Sequence, residues 1–389
     1  MLKSLRPIRS ALGVAAALGC LSGSTALAQP LPLETGFSNE AAEGAFAAAV
    51  DEAAVDEAAA DDAANSEGTA ESADVAGGPE YWAPRTMDMR FGLTFRAGDN
   101  YCTQLHATLP FPMVWPEQQV EVLSFEMPEF ARYAVRPQKQ GAAEIIIDMA
   151  RMSPNDEFDV YATVRIIKSF TRRPEDTSVY RAPKSPRKDR ELTLYLGDSP
   201  YIETRTRQIR QIVTELREAN PENDWAFVES IYDWVREHVR YEPGEIRTSS
   251  QALRDGTGDC EELTSVFIAL CRAADIPARC VWVPMHCYPE FYLEDAAGQG
   301  HWFPCQIAGE RQFGEMNDYR PILQKGDRFK TPESKTFVRY LAETFTCKMR
   351  STGSTAPSIS PIQDLGPLQA ELDQLSADTE PQAAEPVSP

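Results

Sequence analysis

Beyond its first thirty positions, the 389-residue sequence has no segment approaching the ~20 consecutive apolar residues that a membrane-spanning helix needs. A transmembrane segment in the mature chain is therefore not expected. There is no basic stripe either. Residues 81–350 hold 35 of the 38 Lys+Arg and 40 of the 59 Asp+Glu, so most of the net charge of -21 belongs to the flanks. Nucleic acid is not an expected partner. The eight cysteines, at 20, 102, 260, 271, 280, 287, 305 and 347, form no C-x-x-C pair. Cys271, Cys280, His286 and Cys287 fit no common zinc spacing, so neither a metal nor a cofactor is expected.

What is present begins with "MLKSLRPIRSALGVAAALGCLSGSTALAQP". Lys3, Arg6 and Arg9 precede a short apolar run and an Ala-Leu-Ala pattern, which predicts a signal peptide over 1–28, cleaved near Ala28. The expected location is secreted or periplasmic, in the cell envelope, where disulfides persist. Losing Cys20 leaves seven cysteines, and the odd count suggests one free thiol with up to three bridges. Cys260 is the candidate for the free one. Residues 29–80 are acidic and Ala-rich, too poor in large apolar side chains to offset chain entropy, and read as a disordered linker. Residues 351–389, rich in Ser, Pro and acid, read as a disordered tail.

From 81 to 198 short alternating runs such as "MRFGLTF", "QVEVLSFEM" and "AEIIIDMA", separated by turn residues, predict an antiparallel β-sandwich-like domain. The basic connector "RRPEDTSVYRAPKSPRKDR" reads as a solvated hairpin tip. From 199 to 350 the period changes. Ile202, Ile209, Ile212, Val213 and Leu216 fall on one helical stripe, and Phe227, Val228, Ile231, Trp234, Val235 and His238 on another. His238 reads as an interior histidine.

In "GTGDCEELTSVFIALCRAADIPARC", Leu263, Val266, Phe267, Leu270 and Cys271 make a buried helix. Asp259 and Glu262 fit a capping box and put Cys260 in the first turn. The helix dipole there favours a thiolate, whereas Asp259, Glu261 and Glu262 oppose it, so activation requires a cationic partner. Gly256 and Gly258 permit a tight loop that leaves the thiol open. Beyond Pro277, a hairpin centred near Ala296 sets His286 opposite Gln306 on one face and Cys287 opposite Cys305 on the other, a possible disulfide. Glu294 and Asp295 fall at its tip; Asp318 lies farther on. Trp282 and Trp302 are expected between strands and helix, and His301 at the surface. "GEMNDYRPILQKGDRF" and "KTFVRYLAETFTCKMR" are expected to complete the sheet of this domain.

The order "YDWVREHVRYEP", "GTGDCEELTSVFIALCRAADIPARCVWV", "HCYPEFYL", "HWFPCQ" resembles the core of the transglutaminase-like superfamily over about 199–330. The resemblance implies an α+β fold, with a papain-like helix-plus-antiparallel-sheet domain after the sandwich. It implies Cys260 as nucleophile and His286 as general base. The third position, usually Asp, holds Gln306, whose amide oxygen orients an imidazole without supplying charge. Tyr241 is a candidate oxyanion donor. The implied function is that of a cysteine protease or amidase working through a thioester on a protein or peptide substrate. The alternatives are a cross-linking glutamine γ-glutamyltransferase and a catalytically silent binding module. The sequence carries no signal for oligomeric state.

Overall fold

The computed structural model describes residues 77–138, 141–220, 223–332, 334–350, 353–366 and 368–370. The expected signal peptide, the linker up to residue 76 and the tail beyond 370 lie outside the described residues.

Six strands come first: β1 (Glu80–Arg96), β2 (Tyr101–Phe111), β3 (Gln118–Glu126), β4 (Ala131–Gln138), β5 (Ala142–Met152) and β6 (Glu157–Arg172). Their period of two is visible in burial. Met87, Met89, Phe91, Leu93 and Phe95 of β1 face Val160, Ala162, Val164 and Ile166 of β6 in a shared core, together with Leu105, Ile145 and Ile147 from the other sheet. The outward positions of β1 carry charge, as in the Arg165–Asp88 pair at 2.9 Å.

The second half contains α1 (Arg207–Ala219), α2 (Asp224–His238), β7 (Arg240–Tyr241), α3 (Ser249–Asp255), β8 (Thr257–Gly258) and α4 (Cys260–Ala273). Then follow β9 (Ala278–Val283), β10 (His286–Glu294), β11 (Gly300–Gln306), β12 (Gln312–Phe313), β13 (Gln324–Lys325), β14 (Thr344–Arg350) and β15 (Ser358–Asp364). Thr206 caps α1 by accepting from the Ile209 amide, and Asn223 caps α2 by accepting from that of Ala226. Helix α4 packs against Phe291, Leu293, Phe303 and Cys305 on one face of the sheet, with Ile231 and Val235 of α2 in the same cluster. This is an α+β architecture built mostly from antiparallel pairs.

The two halves are joined more closely than the sequence suggests. One sheet runs β12-β11-β10-β9-β13-β5-β2-β14, with β4 on β5, so β13 links β9 to the sandwich strand β5 through Gln324↔Trp282 and Gln324↔Ala142. Strand β14 joins this sheet at its far end, on β2 and away from α4, and β15 pairs with β1 of the other sheet. Residues 358–364 are thus ordered strand and not part of a disordered tail. The edge of β1 offers unpaired backbone groups that this segment satisfies.

The seam carries buried charge. Lys325 Nζ bonds Glu117 Oε1 at 2.6 Å and Glu290 Oε1 at 2.8 Å, and Arg279 Nε bonds Glu290 Oε2 at 2.9 Å. The connector after β6 is not a hairpin tip. Arg181 forms a backbone bridge with Glu294, and Tyr180 is fully buried in the helix-and-sheet core, its hydroxyl bonding the Gly77 carbonyl.

Candidate active site

The site is assembled from the start of α4 and the adjoining ends of β10 and β11. Gly256 closes α3 with φ 67°, a left-handed conformation that costs glycine little. The parallel pairing Arg240↔Thr257 and Tyr241↔Gly258 then ties the chain after α2 to the loop before Cys260. Gly258 is needed for a different reason. A Cβ there would lie 2.5 Å from Glu262 Cβ, and Glu262 must fold back at this point so that its Oε2 accepts from the Asp259 amide at 2.9 Å. Asp259 Oδ1 in turn accepts from the Glu261 amide at 2.7 Å, completing the expected capping box. Cys260 is the first residue of the helix.

His286 opens β10 after a two-residue turn from Val283. Its Nε2 lies 2.8 Å from Gln306 Oε1. An amide oxygen only accepts, so Nε2 carries the proton and Nδ1 remains as the ring's base. Gln306 is itself held by α2: its carbonyl accepts from the Tyr232 hydroxyl at 2.6 Å and from Arg236 Nη1 at 3.3 Å. The expected register is off by one at the hairpin centre. The observed pairs, Glu290↔Pro304 through Glu294↔Gly300, centre on Ala297, so Gln306 is a diagonal neighbour of His286 rather than its direct partner. Since the displacement is two residues along one strand, the faces are unchanged.

The same displacement removes the possible Cys287–Cys305 disulfide. Both thiols are buried and free, Cys305 Sγ against the Pro289 carbonyl and Cys287 Sγ 3.6 Å from the Cys260 carbonyl and 3.8 Å from Thr264 Oγ1. None of the seven cysteines among the described residues is bridged.

Cys260 has two neighbours that act on its ionisation. The hydrogen-bonded Cys287 thiol and burial push the Cys260 thiol well up, while the hydrogen bond and charge of His286 pull it down. Sequence reasoning found the second neighbour and missed the first, because nothing in the string shows that Cys287 lies beneath the nucleophile candidate. The opposing carboxylates weigh less than expected: burial, with the hydrogen bond to Asp259, pushes Glu262 up to about 7, and burial also raises Glu261. Arg339 is a further group with no signal in the sequence. It is buried, with Nη2 3.2 Å from Ser265 Oγ and Nε 3.5 Å from Glu261 Oε2.

Asp318, left open by the sequence, is within electrostatic reach of the base. Burial pushes its carboxyl up, but Arg320, by charge and by hydrogen bonds at 2.6 and 2.9 Å, together with His286 holds it below the usual range. Arg320 Nη1 also reaches the Pro284 carbonyl at 3.5 Å, on the turn that delivers His286.

Other residues singled out from the sequence are elsewhere. His238 is exposed rather than interior, its ring stacked on Trp234 at 4.1 Å and its Nδ1 2.8 Å from the Trp234 carbonyl. Trp282 packs in the helix-side core, as expected. Trp302 lies on the opposite face of the sheet, under the Arg279 guanidinium at 4.0 Å. Asp295 caps its own hairpin turn and bonds His301 Nε2 at 3.0 Å, which removes both from the site. Tyr241 is half exposed, beside Gly258; burial first, and then Cys260, raises its phenol.

Among the described residues no helix is long and apolar enough to cross a membrane. No curated protein sequence matches the chain. Two solved structures match the chain weakly. One, from Cytophaga hutchinsonii and described as "a Putative Cysteine Protease", has a TM-score of 0.44 at 14% identity, covering 72% of this chain and 100% of that one. The other, described as "a putative protease" from Parabacteroides distasonis, has a TM-score of 0.22 at 11% identity, covering 57% of this chain and 48% of that one. The family model described as "Transglutaminase-like superfamily" matches residues 210–307, the span that holds Cys260, His286 and Gln306. Through that helix-and-sheet segment the protein is similar to the transglutaminase-like superfamily.

Proposed function

We propose that this protein is an exported thiol hydrolase, a cysteine protease or amidase, with Cys260 as nucleophile, His286 as base and then acid, and Gln306 as the group that orients the ring. The observation that carries this reading is the 2.8 Å contact from His286 Nε2 to Gln306 Oε1, which leaves Nδ1 to serve the hydrogen-bonded Cys260 thiol. The Cys260 proton passes to Nδ1 and the sulfur attacks a peptide or carboxamide carbonyl. The imidazolium gives its proton to the departing amine, leaving a thioester. Water, deprotonated by the same nitrogen, then releases the acid and restores the thiol. The Cys260 amide, in the first turn of α4, and the Tyr241 hydroxyl are the proposed oxyanion donors.

The upward push of Cys287 on the Cys260 thiol supports a second reading, a binding module with a silent site. One experiment on the full chain separates the readings. Iodoacetamide labelling from pH 6 to 9, followed by mass of the Cys260 peptide, is run beside casein hydrolysis with wild type, Cys260→Ala and His286→Ala. A hydrolase predicts that Cys260 is the fastest-labelled thiol, that its labelling slows at least tenfold without His286, and that hydrolysis is lost in both variants. Labelling no faster than an ordinary thiol near ~8.5, with no hydrolysis, leaves the silent module. Incorporation of an added primary amine into casein in preference to hydrolysis points to the cross-linking transferase instead.

A further inference from the structure

His286 reaches the site by way of Pro284 and Met285, the two residues of the turn that joins β9 to β10. Proline first and a positive φ second is the pattern of a turn that ordinarily takes Gly or Asn at its second central position. Met285 occupies that position with φ 60°. A side chain with a Cβ is strained there. Packing does not offset the strain, because Met285 is 67% exposed, the highest value among the exposed large apolar side chains of the described residues. Neither the turn nor the core therefore accounts for a long thioether at this point.

A second observation concerns Tyr241, which interacts with the thiol electrostatically. Tyr241, 52% exposed, pairs in register with Gly258, two residues before Cys260. Two large exposed apolar groups thus adjoin the site residues, Met285 next in the chain to the base and Tyr241 beside the loop that carries the nucleophile. The charges around them are paired, Glu242 with Arg240 at 2.7 Å and Glu261 with Arg339 at 3.5 Å. With those charges paired, it is an apolar substrate side chain that gains from two large apolar neighbours.

We infer that Met285 and Tyr241 form the two walls of a specificity pocket for an apolar side chain of the peptide substrate, beside the carbonyl that Cys260 attacks. The inference rests on the thiol-hydrolase reading. On this view the strain at Met285 is retained because glycine, the residue the turn favours, has no side chain to cover a substrate.

The test uses two reagents with the same electrophile, iodoacetamide and N-benzyl iodoacetamide, on the full chain. The ratio of their rates at Cys260 is normalised to the same ratio for glutathione. Wild type is expected to favour the benzyl reagent by roughly tenfold, the size of effect that covering an apolar ring supplies. Met285→Gly is expected to bring the ratio close to that of glutathione while raising the thermal midpoint, since glycine relieves the left-handed residue. Met285→Asn, which also tolerates this backbone, should behave alike in the ratio. A wild-type ratio equal to that of glutathione overturns the pocket. So does a ratio unchanged in Met285→Gly, or a lowered midpoint, which would make Met285 a packing residue. If Cys260 reacts with neither reagent, the hydrolase reading itself fails and takes the pocket with it.

Discussion

The sandwich and the helix-and-sheet half differ in how much charge their interiors hold. Inside the sandwich, Leu93, Phe95, Ala107 and Ile145 meet apolar neighbours, and most charge is kept outside on pairs such as Arg165–Asp88, with side chains 41% and 49% exposed, Glu144 and Lys168 being buried exceptions. In the other half charge is taken inside. Arg272 and Asp327, with side chains 0% and 1% exposed, pair at 2.6 Å behind α4, and the Arg272 guanidinium also bonds the Ala278 carbonyl. Lys325, Glu117 and Glu290 are buried where the halves meet. An apolar interior tolerates exchange of shape, but a buried ion depends on one partner at one place. The half that bears the candidate site is therefore the more exacting.

The sharpest break of this contrast is at Lys325. Lys325→Met leaves Glu117 without its closest cation, and urea unfolding should show a loss of about 3–5 kcal/mol. A pH series sharpens the same point. Burial pushes the Glu117 carboxyl up, but Lys325 and Lys168 outweigh it and hold the group at about 2. A carboxyl depressed by folding stabilises above its unfolded value near 4.5, and that contribution disappears as pH falls toward 2. Wild-type stability should decline across that window, and Glu117→Gln should flatten the decline.

Smaller effects are expected at the helix mouth. Gly258→Ala places a methyl against Glu262 and should cost about 1–3 kcal/mol, with slower Cys260 labelling because the cap shifts. Cys287→Ala removes the strongest upward push on Cys260, so the midpoint of its alkylation profile should move to lower pH with little change in unfolding. Least of all, Asp88→Asn on the sandwich surface should leave the urea midpoint unchanged, as expected for an exposed pair in water. A large loss there would remove the contrast between the halves.

Sequence reading succeeded where a short period governs. The strands of the sandwich, the stripes of α1 and α2, the capping box at Asp259 and the common face of His286 and Gln306 all follow from local spacing. It failed where a contact joins distant parts of the chain. His238 has the spacing of the core stripe but lies at the end of α2, where the helix leaves the core and Trp234 covers the ring. The partners of β13, β14 and β15 depend on which sheet edge is free, a property of the assembled fold. The same holds for the contact of Cys287 with Cys260 and the position of Asp318 near His286.

Strand β15 has a practical meaning for anyone shortening this protein. Cutting at residue 350, the end that sequence reading gives the helix-and-sheet half, strips the Arg90–Arg96 border of its seven bonded neighbours. That bare border is a template on which a second molecule's strand could lie down, so trimmed versions should clump during purification while the longer chain stays dispersed.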